Sequence, residues 1–125
     1  MKLVLGRLNK ECREIQRLCG RYKISVSSDH LDFFIEDIFP EHHDILVHIV
    51  IRLNYPFVPP YVYINKHEYL TILEKTCNKN GYKGTCIYCN SVVCLDIWKP
   101  AKKLKDIIDE IIRNKKHIIN FLLAA

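Results

Sequence analysis

Four cysteines in the second half of the chain, Cys77, Cys86, Cys89 and Cys94, form a C-x8-C-x2-C-x4-C series, and two further ones stand in the first helix region at Cys12 and Cys19. C-x2-C spacing lets two thiolates reach one tetrahedral zinc, so Cys77, Cys86 and Cys89 are candidate metal ligands. Adding Cys94 as the fourth ligand would consume a thiol that could otherwise act as a nucleophile. For Cys94 to stay free, His67 or another group would have to complete the zinc site. Three states of the cluster stay open at this point: bound zinc, a reversible redox pair of Cys86 with Cys89, and plain free thiols. A free thiol has a pKa near 8.5, so a few per cent of it is thiolate at neutral pH, which is enough for thiol exchange without a catalytic base or any required cofactor. His42 and His43 also invite a metal reading, but adjacent residues of an extended segment point to opposite faces, and an exposed turn pair is expected there.

Positioning these groups requires an ordered scaffold, and the hydrophobic patterning supplies one. Leu3, Leu5, Leu8, Cys12, Ile15 and Leu18 recur at helical spacing with charges between them, and Gly20 stops the pattern. Three runs rich in Ile, Val, Phe and Tyr follow, Tyr22 to Ser28, Leu31 to Ile38 and Asp44 to Leu53. The short gaps between them predict an antiparallel meander. Tyr55-Pro56-Phe57-Val58-Pro59-Pro60 can be neither helix nor central strand and is read as a rigid connector before a short strand, Tyr61 to Ile64. Leu70 to Leu95 reads as a long ordered loop, with Asn78, Asn80, Gly81 and Gly84 marking turns. From Pro100, which suits a first helical turn, Leu104, Ile107, Ile108, Ile111 and Ile112 make one apolar helical face. Asn114 to His117 interrupts that face before Ile118 resumes it. The expectation is a single α+β domain spanning residues 1–125.

Composition narrows the function classes. The chain is 49% hydrophobic and 26% charged, as expected of a folded domain of a size that can bury a core without disulfides. Met1 to Ile24 carries too many charges for a signal sequence, and no apolar run approaches the roughly 20 residues of a membrane span. An intracellular, reducing location in cytoplasm or nucleus is expected, with no membrane partner. The net charge of +5 is segregated: residues 1–23 hold seven Lys/Arg against two Glu, and residues 98–125 hold seven against three acids, whereas the middle holds five against nine. Basic ends suit nucleic acid or an acidic protein surface alike, and it is the lack of a nucleic-acid motif, and of aromatics interleaved with the basic clusters, that weighs against a nucleic-acid partner.

Three motifs, in this order, resemble the ubiquitin-conjugating enzyme family. Tyr55-Pro56-Phe57-Val58-Pro59-Pro60 is similar to the family's Tyr-Pro-x-x-Pro-Pro connector. Val93-Cys94-Leu95-Asp96-Ile97 resembles its active-site Ile-Cys-Leu-Asp-Ile, and Trp98-Lys99-Pro100-Ala101 is similar to the Trp-Ser-Pro-Ala that opens the following helix. The resemblance covers nearly the whole chain and implies an N-terminal helix, an antiparallel meander sheet, a long active-site loop and a C-terminal helix. It also implies that Cys94 carries ubiquitin or a ubiquitin-like protein as a thioester and passes it to a lysine or a ligase. The basic first helix, with Arg7, Lys10 and Arg13, would dock on the activating enzyme. Phe57, Pro100 and Ala101 would meet the ubiquitin ligase.

The departures from the family are as specific as the matches. Counting back from Cys94, Gly84-Thr85-Cys86 stands where the family has His-Pro-Asn. The oxyanion role is left to Asn90, Thr85 or backbone N–H groups, with Asn90 the residue nominated. Trp98 follows Cys94 by four residues, where the family has about eight, and residues 1–125 are expected to hold no counterpart of the two further C-terminal helices of typical members. His117 falls near the family's acidic residue that helps deprotonate the incoming lysine, and histidine is a residue type that can do such general-base work. These departures suit a catalytically inactive variant that binds ubiquitin or a ligase, and the cysteine series leaves open a third reading, a small zinc-binding interaction module. The abundance of Ile, Lys and Asn fits an AT-rich genome such as that of a virus or parasite.

Overall fold

The computed structural model describes residues 5–18, 21–42, 44–79, 91–94 and 97–124, with side chains from Arg7 in the first helix and as far as Lys75 in the second. Its elements are α1 (Leu5–Leu18), β1 (Tyr22–Val26), β2 (His30–Ile35), β3 (Val47–Arg52), β4 (Tyr61–Ile64), β5 (His67–Glu68), α2 (Tyr69–Lys79), α3 (Leu104–Arg113) and α4 (Lys115–Ala124). The fold is α+β, and the strands form one antiparallel meander in the order β1-β2-β3-β4-β5. Among the described residues, no helix is long and apolar enough to cross a membrane.

Strict alternation explains the sheet. Leu31, Phe33 and Ile35 of β2 pair with Ile51, Ile49 and Val47 of β3, and Val62 and Ile64 of β4 pair with Ile49 and Val47. All of these are buried and share one face, as the two-residue period requires. The residues between them, His30, Asp32, Phe34, His48, Val50 and Tyr63, lie half-buried on the other face. There Phe34 stacks on His48 at 4.3 Å, while His48 and His30 both bond Asp32, at 2.7 and 3.1 Å. The β4–β5 hairpin turns through Asn65 and Lys66, both at positive φ, as a two-residue hairpin of this type demands. Asn65 fixes that turn by accepting the Leu46 N–H on its Oδ1 at 2.8 Å.

The helices cover the apolar face. Leu8 and Ile15 of α1, Ile72 and Leu73 of α2, Leu104, Ile107, Ile108 and Ile111 of α3 and Ile118 of α4 join the strand residues in one cluster. Helix α1 packs on α3, and α2 packs on α4, β4 and β5. Asn114 separates α3 from α4, where the sequence pattern predicts an interruption.

Two expectations are corrected. The stretch from Leu70 is not simply a loop, because α2 occupies Tyr69–Lys79. Tyr69, Ile72 and Leu73 are buried at the i, i+3, i+4 spacing that seats a helix. The Asn and Gly markers that suggest a loop begin only at Asn78. Pro100 is not in the first turn of a helix either. It is the second residue of a tight turn closed by the Lys102 N–H on the Lys99 carbonyl at 2.8 Å, a position whose φ proline pre-sets. Helix α3 starts at Leu104, and the Lys103 N–H bonds Asp106 Oδ2 at 2.8 Å as part of its cap.

Candidate functional site

Cys94 ends a short turn, Ser91 to Cys94, in which its own N–H bonds the Ser91 carbonyl at 3.1 Å. The Cys94 carbonyl then accepts the N–H groups of Ile97 and Trp98 at 3.0 and 2.8 Å. The thiol is free and buried, with Cys94 only 7% exposed.

A buried carboxylate holds that turn. Glu110, on the inner face of α3, accepts the Val92 N–H on Oε1 at 2.7 Å, and the Ser91 and Tyr69 hydroxyls on Oε2 at 2.8 and 2.6 Å. Asn114 completes the set by donating to the Tyr69 hydroxyl at 2.9 Å. Three donors aimed at one carboxylate are what keeping a charge in a core requires where, among the described residues, no cation bonds it directly.

A second buried carboxylate, Glu11 of α1, organises the other side. It accepts the Tyr55 hydroxyl at 2.6 Å, the Leu104 N–H at 2.7 Å and Arg7 Nε at 3.2 Å. The Leu104 bond satisfies one of the N–H groups that the first turn of α3 leaves without an intrahelical partner. Arg7 reaches past Glu11 to the carbonyls of Pro100 and Lys102, and its guanidinium lies 5.1 Å from the centre of the Tyr55 ring. The connector joins the same assembly through Trp98, whose indole N–H donates to the Pro56 carbonyl at 2.7 Å. The Tyr55 and Trp98 rings lie 6.0 Å apart. Tyr55 and Pro56, joined by a cis peptide, are buried, while Phe57 turns outward and is 76% exposed.

The structure thus gathers the connector, the Cys94 turn and the entry to α3, and it separates other nominated residues. Lys10 and Arg13 are exposed on α1, whereas Arg7 is half-buried and spends its guanidinium on internal contacts. Pro100 and Ala101 are exposed beside the Arg7 contact. His117 is exposed on α4, and among the described residues no hydrogen bond or ring contact joins it to Cys94. Asn90, Thr85, Cys86, Cys89 and His43 lie outside the described residues, as does the side chain of Cys77, whose backbone belongs to α2. Among the described residues, no group of three or more His, Cys, Asp or Glu side chains is placed to hold a metal ion. His67 is exposed and packs its ring edge-on against Phe121 at 5.2 Å.

Glu11, Glu110, Tyr69 and Ser91 are the site-forming residues that the motifs do not mark. A signal for the two glutamates exists all the same. Each sits inside an apolar stripe, Glu11 among Leu8, Cys12 and Ile15, and Glu110 among Ile107, Ile108 and Ile111. A carboxylate on the core face of a helix must find donors there.

Burial first, and then the bonded glutamate, push both tyrosines above the ordinary phenol value: Tyr55 beside Glu11, against the opposing pull of Arg7, and Tyr69 beside Glu110. The folded state therefore favours the neutral phenols. Their contribution to stability is full below the ordinary tyrosine pKa near 10 and is lost as pH rises toward the higher folded values. In an alkaline absorbance titration, two of the seven tyrosines are expected to stay protonated until the chain unfolds. Ionisation of all seven near pH 10 in still-folded protein contradicts this.

Comparisons with protein-family models, with curated proteins and with solved structures give no match for this chain.

Proposed function

We propose that this protein is a ubiquitin-conjugating-type enzyme that carries ubiquitin or a ubiquitin-like protein as a thioester on Cys94. The observation that carries this reading is the convergence of three sequence motifs on one place. Trp98, four residues beyond Cys94, donates its indole N–H to the connector at Pro56, and Arg7 and Glu11 tie α1 to Tyr55 and to the start of α3.

In the first step the Cys94 thiolate attacks the thioester carbonyl presented by the activating enzyme. The tetrahedral adduct collapses, and the donor cysteine leaves as a thiolate. In the second, a lysine amine attacks the new thioester, an amide bond forms, and Cys94 leaves as the thiolate while the amine proton passes to solvent. Neither step needs a metal or an organic cofactor. Lys10 and Arg13 present cations to the activating enzyme, and Phe57 with Pro100 and Ala101 presents an apolar patch to a ligase. This chemistry belongs in a reducing, intracellular compartment, where the Cys94 thiol stays free.

One observation favours a second reading. Cys94 is 7% exposed, a burial that suits a structural thiol better than one met by another protein's thioester. In that reading the same scaffold binds ubiquitin or a ligase without catalysis.

Incubation with activating enzyme, ATP and modifier separates the two. A reducing-agent-sensitive adduct that disappears in Cys94→Ser is expected of the enzyme. Absence of an adduct with every modifier, alongside retained binding of ubiquitin or ligase, leaves only the non-catalytic scaffold.

A further inference from the structure

Among the described residues, the meander leaves β1 at the margin of the sheet, paired with β2 on one side only. The Ser27 N–H bonds the His30 carbonyl at 2.9 Å, and the Arg21 carbonyl accepts the Glu36 N–H at 3.2 Å. The odd-numbered residues therefore bond inward to β2. By antiparallel alternation, the N–H and C=O groups of Tyr22, Ile24 and Val26 point to the open side. Among the described residues, none bonds them there. Ile24 and Val26 pair with the buried Phe33 and Leu31 and share their face, yet they are 42% and 67% exposed. A margin with three donor–acceptor positions that no described residue pairs, and with two largely exposed aliphatic side chains, is a template for another strand.

We propose that a second copy of this chain fills it, with two β1 strands joined antiparallel about a two-fold axis at Ile24. The sequence of the strand is self-complementary in that register. Ile24 faces the partner's Ile24, Tyr22 faces the partner's Val26, and Lys23 faces the partner's Ser25, so apolar groups share one face and no cation stands opposite a cation. All three open residues fall at positions where facing residues exchange both hydrogen bonds. Centring the axis on Lys23 sets two lysines opposite each other, and centring it on Ser25 leaves Tyr22 beyond the paired Ile24 and Val26. A parallel arrangement places like residues side by side. The assembly is isologous, and the sheet runs unbroken from β5 of one copy to β5 of the other. Two five-residue strands bury little area, which puts the affinity at the weak end of specific interfaces.

Sedimentation velocity and amide exchange across a concentration series test this on the intact chain. Protection at Tyr22, Ile24 and Val26 is expected to rise with concentration as a dimer appears, while protection at Lys23, Ser25 and Ser27 stays constant. Ile24→Lys and Ile24→Glu should each weaken self-association by at least about tenfold through like charges at the axis. Mixing the two variants should restore pairing, because only this register sets residue 24 against itself. A wild-type chain that is monomeric up to about 1 mM overturns the proposal, as does a dimer that survives both substitutions. Protection of the three amides that is independent of concentration means another segment of the chain covers the strand, and overturns it too. A mixture that fails to pair rejects the symmetric register.

Discussion

Glu110→Ala is expected to destabilise the protein by roughly 3–5 kcal/mol, the loss associated with removing one side of a buried, charge-assisted network. The substitution strips the acceptor from the Val92 N–H and from the Ser91 and Tyr69 hydroxyls at once. Each buried polar group left without a partner costs about 1–3 kcal/mol, and the three share one environment, so their losses do not simply add. Urea unfolding of the two chains measures the difference. The same change frees the Ser91–Cys94 turn, so alkylation of Cys94 under native conditions should quicken by more than about tenfold. Glu110→Gln keeps one acceptor oxygen for the Val92 N–H and lets the hydroxyls turn to accept from its amide, so a loss of about 1–2 kcal/mol is expected. Should Ala and Gln prove equally mild, Glu110 does not hold the turn.

Glu11→Ala is the second substitution with a large expected effect, again roughly 3–5 kcal/mol. It removes the acceptor of the Leu104 N–H and of the Tyr55 hydroxyl, and it takes away the carboxylate that pairs with Arg7. Because burial and Glu11 together raise the Tyr55 pKa, the variant should also ionise Tyr55 closer to the ordinary value near 10. Tyr69, which answers to Glu110, should not move. A Glu11→Ala chain whose midpoint of unfolding in urea matches that of the unsubstituted chain would show that the cap on α3 and the Tyr55 bond are dispensable.

The sheet was legible because it follows local rules. His30–Ile35 and Val47–Arg52 alternate without exception between core and outer face, so a period of two reads out their strands and the gaps between them read out the meander. The break at Asn114 and the strand Tyr61–Ile64 were legible for similar reasons. Helix α2 was not, since its apolar spacing covers barely two turns and runs into the asparagines that mark the following segment. The site divided along the same line. Cys94, Trp98 and the connector stand out as motifs, but the groups that bind them together act over long separations. Arg7 reaches carbonyls 93 and 95 residues away, and the Tyr69 hydroxyl meets a carboxylate 41 residues away. Nothing in a local pattern distinguishes Arg7 from the solvated cations Lys10 and Arg13 on the same helix, and the apolar stripe that marks Glu110 as facing the core does not say which donors it meets there.

Helix α3 works as a strut with a fixed length between two fittings. Its first residue, Leu104, is bonded to Glu11 of α1, and its Glu110 is bonded to Val92 beside Cys94, each across 2.7 Å. Sliding the rod by the rise of a single residue, about 1.5 Å, together with the turn of about 100° that goes with it, would pull both fittings out of their present geometry. Spacing along the axis therefore sets the distance from the basic helix to the thiol, and an insertion or deletion of one residue between Leu104 and Glu110 cannot satisfy both ends.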